Sequence, residues 1–242
     1  MIDKYLNKIT CGDCYELIKE LPDKSVDCIY TDPPYEFHSG VGKSGMFKDR
    51  ELIPHNNIQG TVLTQGINQD ILREFVRVMK HINIFMWCNK TQILEYLQFF
   101  QNENTNFEIL TWHKTNPLPL TSNTWLPDTE YCLVFREKGL SLNDGYDLKR
   151  KYYISSANKE DKDNFEHPTI KPLNLVKKHL LHTTQEGDVV LDCFMGSGTT
   201  AIACKEIGRQ FIGFEISEKW CKVANDRLNN IDANGQISLF FR

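Results

Sequence analysis

Val189-Val190-Leu191-Asp192-Cys193-Phe194-Met195-Gly196-Ser197-Gly198-Thr199-Thr200-Ala201 is the stretch that decides the fold. Val189–Cys193 is a short apolar run with the length of a buried strand rather than a helix. Gly196, Gly198 and Ala201 then satisfy G-x-G-x-x-G/A spacing, and a helical pattern, Thr199–Ile207, follows. Glycines at those places allow a tight turn and close approach of a ligand, while backbone N–H groups at the helix start face an anion. The next strand-like run, Phe211–Phe214, leads into Glu215, about 20 residues beyond the first glycine, where a carboxylate can take both ribose hydroxyls. Strand, loop, helix, strand and acid in register imply an adenosine-containing ligand. On these residues NAD and S-adenosylmethionine fit equally well.

Working outward, further strand-like runs lie at Val26–Tyr30, Ile82–Trp87, Phe107–Trp112 and Tyr131–Phe135. Helical patterns lie at Tyr15–Leu21, Gln69–Met79, Thr91–Phe100, Leu173–Leu181 and Glu218–Leu228. Alternation of the two predicts an α/β fold with a mostly parallel sheet covered on both faces. The 242 residues suit one such domain with insertions. Two stretches break the alternation: residues 36–64, rich in Gly, Ser, His and Asn, and the polar residues 136–168. Loops of that length are usually functional or disordered.

The formal net charge of −4 excludes a histone-like polycation but leaves room for a local basic patch. No apolar run approaches the ~20 residues of a membrane span. The N-terminal residues carry acid and base where the apolar core of a signal peptide would begin. Eight cysteines are scattered, several inside apolar runs, which suits a reducing cytoplasm better than a disulfide framework.

After the run ending at Tyr30 comes Thr31-Asp32-Pro33-Pro34-Tyr35. Two prolines fix two φ angles, and Pro34 restricts Pro33 to extended geometry. Neither has an N–H, so the segment presents acceptors in a stiff frame. An exocyclic amine on a nucleobase is a poor nucleophile because its lone pair is delocalised into the ring. A carboxylate and a carbonyl accepting its two N–H bonds can hold the nitrogen toward tetrahedral geometry, with the lone pair aimed at a methyl donor. This is catalysis by orientation and preorganised acceptors. An ordinary turn, with Tyr35 in the core, is the competing reading of the tetrapeptide alone.

Taken together, Asp32-Pro33-Pro34-Tyr35 and Phe194-Met195-Gly196-Ser197-Gly198-Thr199-Thr200 resemble the S-adenosylmethionine-dependent DNA amino-methyltransferases of the β group, with the target-amine motif first and the cofactor loop near the C-terminus. Gly12-Asp13-Cys14-Tyr15-Glu16-Leu17 resembles the opening segment of that family, and His167-Pro168-Thr169-Ile170-Lys171-Pro172 its hallmark before the cofactor half. Trp112–Pro117 and Glu130-Tyr131 resemble the segments flanking the target pocket. The resemblance implies a Rossmann-like methyltransferase domain over residues 1–242, with a mostly parallel seven-stranded sheet and permuted motif order. It assigns Asp32, Pro33, Pro34 and Tyr35 to catalysis. It assigns Asp13 to the cofactor adenine and Glu215 to the ribose. Thr169, Lys171, Thr199 and Thr200 fall near the methionine end, and Asp32, Asp192, Phe194, Gly196, Ser197 and Gly198 complete the S-adenosylmethionine set. The family usually has proline where Cys193 stands.

In that family, aspartate at the first tetrapeptide position usually accompanies adenine N6 and serine cytosine N4, so Asp32 favours adenine, with cytosine N4 as the alternative. A base inside a duplex must flip to be reached. Tyr35 would stack on it, and Phe37 and Trp112 are candidates for a second wall. The expected recognition insertion is residues 136–168, where Lys149, Arg150 and Lys151 are candidates for DNA phosphates. Residues 36–64 form the expected mobile loop near the pocket. The tail, residues 235–242, resembles a sliding-clamp docking peptide, with Gln236 as polar anchor and Leu239 and Phe240 as apolar anchors. Double-stranded DNA is the expected substrate, and a clamp and a second copy in a homodimer are the other expected partners. The expected location is the cytoplasm of a bacterial or phage-infected cell. An NAD-dependent oxidoreductase explains the glycine loop but leaves the tetrapeptide unexplained. A catalytically dead DNA-binding regulator is at odds with an intact tetrapeptide. Gly42-Lys43-Ser44 fails as a P-loop, and Cys11-Gly12-Asp13-Cys14 has no second pair at zinc spacing.

Overall fold

The computed structural model describes residues 2–35, 66–117, 123, 125–157 and 170–230. Eight strands are present among them: β1 Lys8–Cys11, β2 Cys28–Thr31, β3 Asn83–Cys88, β4 Thr105–Lys114, β5 Thr129–Glu137, β6 Tyr152–Ser155, β7 Val189–Asp192 and β8 Gln210–Glu215. They form one sheet in the order β1-β8-β7-β2-β3-β5-β4-β6. The first five in that order run parallel, β5 is antiparallel to both β3 and β4, and β6 runs parallel to β4.

The helices are α1 Cys14–Leu17, α2 Gln69–Val78, α3 Ile93–Phe100, α4 Leu173–Thr183, α5 Thr199–Glu206 and α6 Glu218–Asn229. Alternate strand residues bury on opposite faces. Ile29, Ile84, Met86 and Leu191 pack in one core with Ile18, Ile71, Phe75 and Phe100. Cys28, Tyr30, Phe85, Trp87 and Val190 pack in another with Leu175, Leu180, Ala201 and Ala224. The central strands are thus apolar on both sides, as a sheet sandwiched between helix layers requires. Among the described residues no helix is long and apolar enough to cross a membrane.

Seven strands were expected, and the eighth, β6, comes from within residues 136–168. It is a four-residue edge strand with alternating exposure, so it has no continuous apolar run to betray it. The segment before it is fastened to α4. Asn143 Nδ2 donates to the Leu181 and Thr184 carbonyls at 2.7 and 2.8 Å, satisfying groups at the helix end. Lys178 Nζ donates to the Arg150 and Tyr152 carbonyls at 2.6 and 3.1 Å.

Beyond Cys88, where β3 stops opposite Tyr131, the β4–β5 hairpin continues through the pairs Trp112–Glu130 and His113–Thr129. It therefore stands above the carboxyl edge of the parallel strands as a wall. Asp13, Asp32, Asp192 and Glu215 all lie at that edge, where open α/β sheets bind ligands.

The approach of α6 to the start of α5 sets the shape of the glycine loop. Gly198 has φ +87°, and a Cβ built on it would lie 3.0 Å from Ala224 Cβ and 3.2 Å from Ala224 Cα. A side chain there must both adopt the left-handed region and push against the α6 backbone. Gly198→Ala is expected to destabilise the protein by about 2–4 kcal/mol, combining backbone strain with overpacking. Urea unfolding measures this, and a midpoint equal to wild type would contradict the packing role.

Candidate active site

On the cofactor side, Cys11 pairs with Glu215 and the Gly12 N–H donates to the Glu215 carbonyl at 2.9 Å, bringing Asp13 beside the end of β8. Asp13 caps α1, accepting the Tyr15 N–H at 2.9 Å. The buried Glu215 carboxylate accepts the Gly196 N–H on Oε2 at 2.7 Å and the Ser217 N–H on Oε1 at 2.9 Å. It holds the glycine loop in place, and each oxygen keeps a second lone pair for a ribose hydroxyl. Burial raises its carboxyl above the ordinary value.

Asp192 is a buried hub. Its Oδ1 accepts the Thr31 hydroxyl at 3.1 Å and the Phe194 N–H at 3.0 Å, and its Oδ2 accepts the Thr200 hydroxyl at 2.7 Å. One carboxylate thereby joins the end of β2, the entrance of the glycine loop and the first turn of α5. Ser197 is held from the other side: the buried Arg227 of α6 donates to its carbonyl at 2.6 Å and its hydroxyl at 2.9 Å. Asp192, Ser197 and Thr200 thus shape the loop through internal bonds. Thr199 differs, because its Oγ1 is buried and has no hydrogen-bond partner among the described residues. A buried hydroxyl left open at the first residue of α5, beside the Glu215-anchored loop, suits a polar ligand such as the methionine end of S-adenosylmethionine.

On the target side, Lys171 is buried and its ammonium contacts Asp32 Oδ2, with Glu130 Oε2 at 3.0 Å and the Tyr35 hydroxyl at 3.4 Å. It also lies 4.7 Å from the Trp87 ring centroid. Burial alone would lower the Lys171 pKa, but Asp32 and Glu130 outweigh it and hold the ammonium protonated. Glu130 Oε1 meets Lys114 at 2.5 Å. Burial opposes ionisation of Glu130, yet Lys171 and Lys114 bring its carboxyl down to about 2. The other carboxylate oxygen of Asp32, Oδ1, and Glu130 Oε2 are buried and have no hydrogen-bond partner among the described residues. The tetrapeptide is fixed from behind by the buried Gln92, whose Nε2 donates to the Pro34 carbonyl at 3.1 Å. Beneath Lys171, the Trp87 Nε1–H donates to the Tyr30 hydroxyl at 3.2 Å, which also bonds His179 Nδ1 at 3.2 Å. Burial keeps that imidazole neutral, with a pKa of about 3.

The structure therefore gathers Asp32, Tyr35 and Lys171 into one cluster, Asp192, Phe194, Ser197 and Thr200 into a second, and Asp13 with Glu215 and Gly196 into a third along the same edge. Lys171, expected near the methionine end, turns its ammonium to the carboxylates of the target side. Trp112 is 2% exposed and bonds Ser155 Oγ at 3.0 Å, which makes it part of the core. Each member of the basic cluster has an acid: Lys149 with Asp144 at 3.0 Å, Arg150 with Asp147 at 3.4 Å, and Lys151 with Glu108 at 2.5 Å. Thr169, Phe37, residues 36–64, and Gln236, Leu239 and Phe240 lie outside the described residues. Sequence reasoning missed Gln92 and Arg227, and it saw Lys114 and Glu130 only as parts of the flanking segments. Their signal is three-dimensional, since the partners of Glu130, Lys114 and Lys171, come from different elements.

Asp192 gives the site a pH signature. Burial raises its carboxyl from 3.8 to about 7, against the pull of the three groups donating to it. The folded state takes up this proton more readily than the unfolded chain. The contribution to stability is therefore greatest below the unfolded pKa and declines as pH rises toward about 7, by on the order of 1 kcal/mol per pH unit. Urea unfolding at about pH 5 and about pH 8 should show wild type losing stability relative to Asp192→Asn as pH rises. A difference independent of pH would contradict the buried carboxyl.

The comparisons agree with this arrangement. The DNA methylase family, which groups N6 and N4 methyltransferases, matches residues 26–226. The chain is 28% identical to the Type II methyltransferase M2.DpnII of Streptococcus pneumoniae, over 94% of this chain and 93% of that one. It is 29% identical to the Type II methyltransferase M.HinfI of Haemophilus influenzae, over 96% and 71% respectively. The solved M1.HpyAVI–SAM complex superposes with a TM-score of 0.66 at 26% identity, covering 91% of this chain and 99% of that one. With the glycine loop, its acid and the tetrapeptide assembled on one sheet edge, the chain belongs to the S-adenosylmethionine-dependent DNA methylase family.

Proposed function

We propose that this methyltransferase acts on N6 of an adenine flipped out of double-stranded DNA. The observation that carries the reading is the state of Asp32. Its Oδ2 is engaged by Lys171 while its buried Oδ1 is left open, an arrangement that is costly without a donor to fill it. An exocyclic amine supplies that donor. One amine N–H goes to Asp32 Oδ1 and the other to the Pro33 carbonyl, which turns the nitrogen lone pair out of conjugation. Gln92 keeps the tetrapeptide from rotating by holding the Pro34 carbonyl. S-adenosylmethionine, when bound, supplies the electrophilic methyl group. Asp32, whose Oδ1 faces the amine, accepts the proton that the methylated nitrogen must lose. The half-buried Tyr35 offers its ring to the flipped base. Adenine rather than cytosine follows from aspartate at the first tetrapeptide position.

The rest of the proposal rests on lighter support. Residues 136–168 act as the recognition insertion, since β6 extends the wall above the site. Lys149, Arg150 and Lys151 reach phosphates by exchanging exposed ion pairs worth only about 0–1 kcal/mol each. A second copy covers the exposed strip Phe107, Ile109, Tyr152 and Ile154 beside edge strand β6. Gln236, Leu239 and Phe240 engage a sliding clamp on sequence grounds. The free and mostly buried thiols suit a cytoplasmic setting.

Transfer of labelled methyl to unmethylated DNA, followed by nucleoside separation, tests the reading with wild type and Asp32→Ala side by side. Wild type is expected to yield N6-methyladenine, and Asp32→Ala to lose at least about 100-fold in kcat with a far smaller change in its affinity for S-adenosylmethionine. N4-methylcytosine as the product would replace the base assignment, and unchanged turnover in the variant would refute the role of Asp32.

A further inference from the structure

Lys171 hydrogen-bonds Asp32 Oδ2 and, more distantly, the Tyr35 hydroxyl, and it pairs by charge with Glu130 Oε2 at 3.0 Å, an oxygen that has no hydrogen-bond partner among the described residues. All of this is buried: the side chains of Lys171, Glu130 and Asp32 are 8%, 17% and 26% exposed. A buried ammonium relieved of one of its two paired carboxylates turns more fully toward the other. The nearest acceptor left open on its partner carboxylate is Asp32 Oδ1, the oxygen assigned above to the target amine. Glu130 is held in turn by Lys114, which approaches its other oxygen at 2.5 Å from the neighbouring strand. The register Trp112–Glu130 sets this part of the β4–β5 hairpin beyond the end of β3.

We propose that Glu130 is a positioning residue for methyl transfer: it retains the Lys171 ammonium on Asp32 Oδ2 and thereby keeps Oδ1 open for the amine. Lys114 supports Glu130 from the outer side and ties the alignment to the hairpin. Glu130 itself touches neither base nor cofactor. This inference rests on the proposed role of Asp32 at an exocyclic amine.

The role separates three measurable quantities. Glu130→Gln keeps the shape of the side chain and removes its charge. Its kcat is expected to fall about 100-fold, the cost of misplacing a reacting group by roughly 1 Å, while the Kd for S-adenosylmethionine stays near wild type and the melting temperature falls with the loss of a buried ion pair. In a Lys171→Met background, Glu130→Gln is expected to cost nothing further, because its effect passes through the lysine. Lys114→Met, at a side chain 21% exposed, is expected to lower kcat in the same direction by a smaller factor.

Wild-type kcat in both Glu130→Gln and Lys114→Met would overturn the proposal. So would additive losses in the double variant, or a loss of cofactor affinity matching the loss of turnover. If Glu130→Gln fails to fold, Lys114→Met decides: a lower kcat with normal melting supports the role, and an unchanged kcat overturns it. Wild-type protein that methylates no exocyclic amine in DNA would refute the underlying reading and this inference with it. An active wild type beside fully active variants removes the inference alone.

Discussion

A single buried ammonium organises the target half of the site. Lys171 is stable there only because two carboxylates, on β5 and after β2, converge on it, and breaking such a buried pair typically costs about 3–5 kcal/mol. Glu130 is in turn held ionised by Lys171 and Lys114. That mutual dependence fixes the orientation of Asp32 relative to the sheet edge, and Gln92 fixes the peptide that carries it. The result is a preorganised acceptor, with one oxygen occupied by the protein and the other left for a ligand. Orientation of this kind costs no rearrangement when the substrate arrives.

The cofactor half follows a similar rule with different chemistry. Asp192 joins three segments through three hydrogen bonds, Arg227 grips the Ser197 peptide, and Glu215 receives the Gly196 N–H. Interior residues thus determine the path of the loop, and only Thr199 is left with a buried hydroxyl unengaged among the described residues. Thr31, which donates to Asp192, precedes Asp32 directly, so the hub at the end of β7 and the carboxylate that follows β2 are joined through one residue. The two halves share a rigid boundary there.

How much of this could be read beforehand depended on whether the signal was local. The strand–loop–helix passage from Val189 to Ala201 and the tetrapeptide from Asp32 are contiguous, and their covalent constraints, two glycines and two prolines, are visible in one dimension. The apolar central strands were legible because burial on both faces demands continuous runs. Strands β1 and β6 were absent from the apolar runs because each is a short edge strand with polar or exposed positions. The ion pairs of Lys171 were hidden because its partners come from β5 and from the segment after β2, far away along the chain. Gln92 and Arg227 carry no sequence signature at all: each is an ordinary polar residue on or beside a helix until the fold sets it against a loop carbonyl. Charge pairing was equally hidden, since Lys149, Arg150 and Lys151 look like a bare basic patch in sequence and are each paired with an acid in space.

The central claim is that Asp32 receives the target amine on Oδ1 while Lys171 stays on Oδ2. A crystal structure of the protein with duplex DNA and a cofactor analogue lacking a transferable methyl group tests it most directly. The account predicts an adenine outside the helix, its N6 within hydrogen-bond distance of Asp32 Oδ1 and of the Pro33 carbonyl, with Lys171 still bridging Asp32 and Glu130. A flipped base whose amine is held elsewhere, or a Lys171 that has crossed to Oδ1, would contradict it.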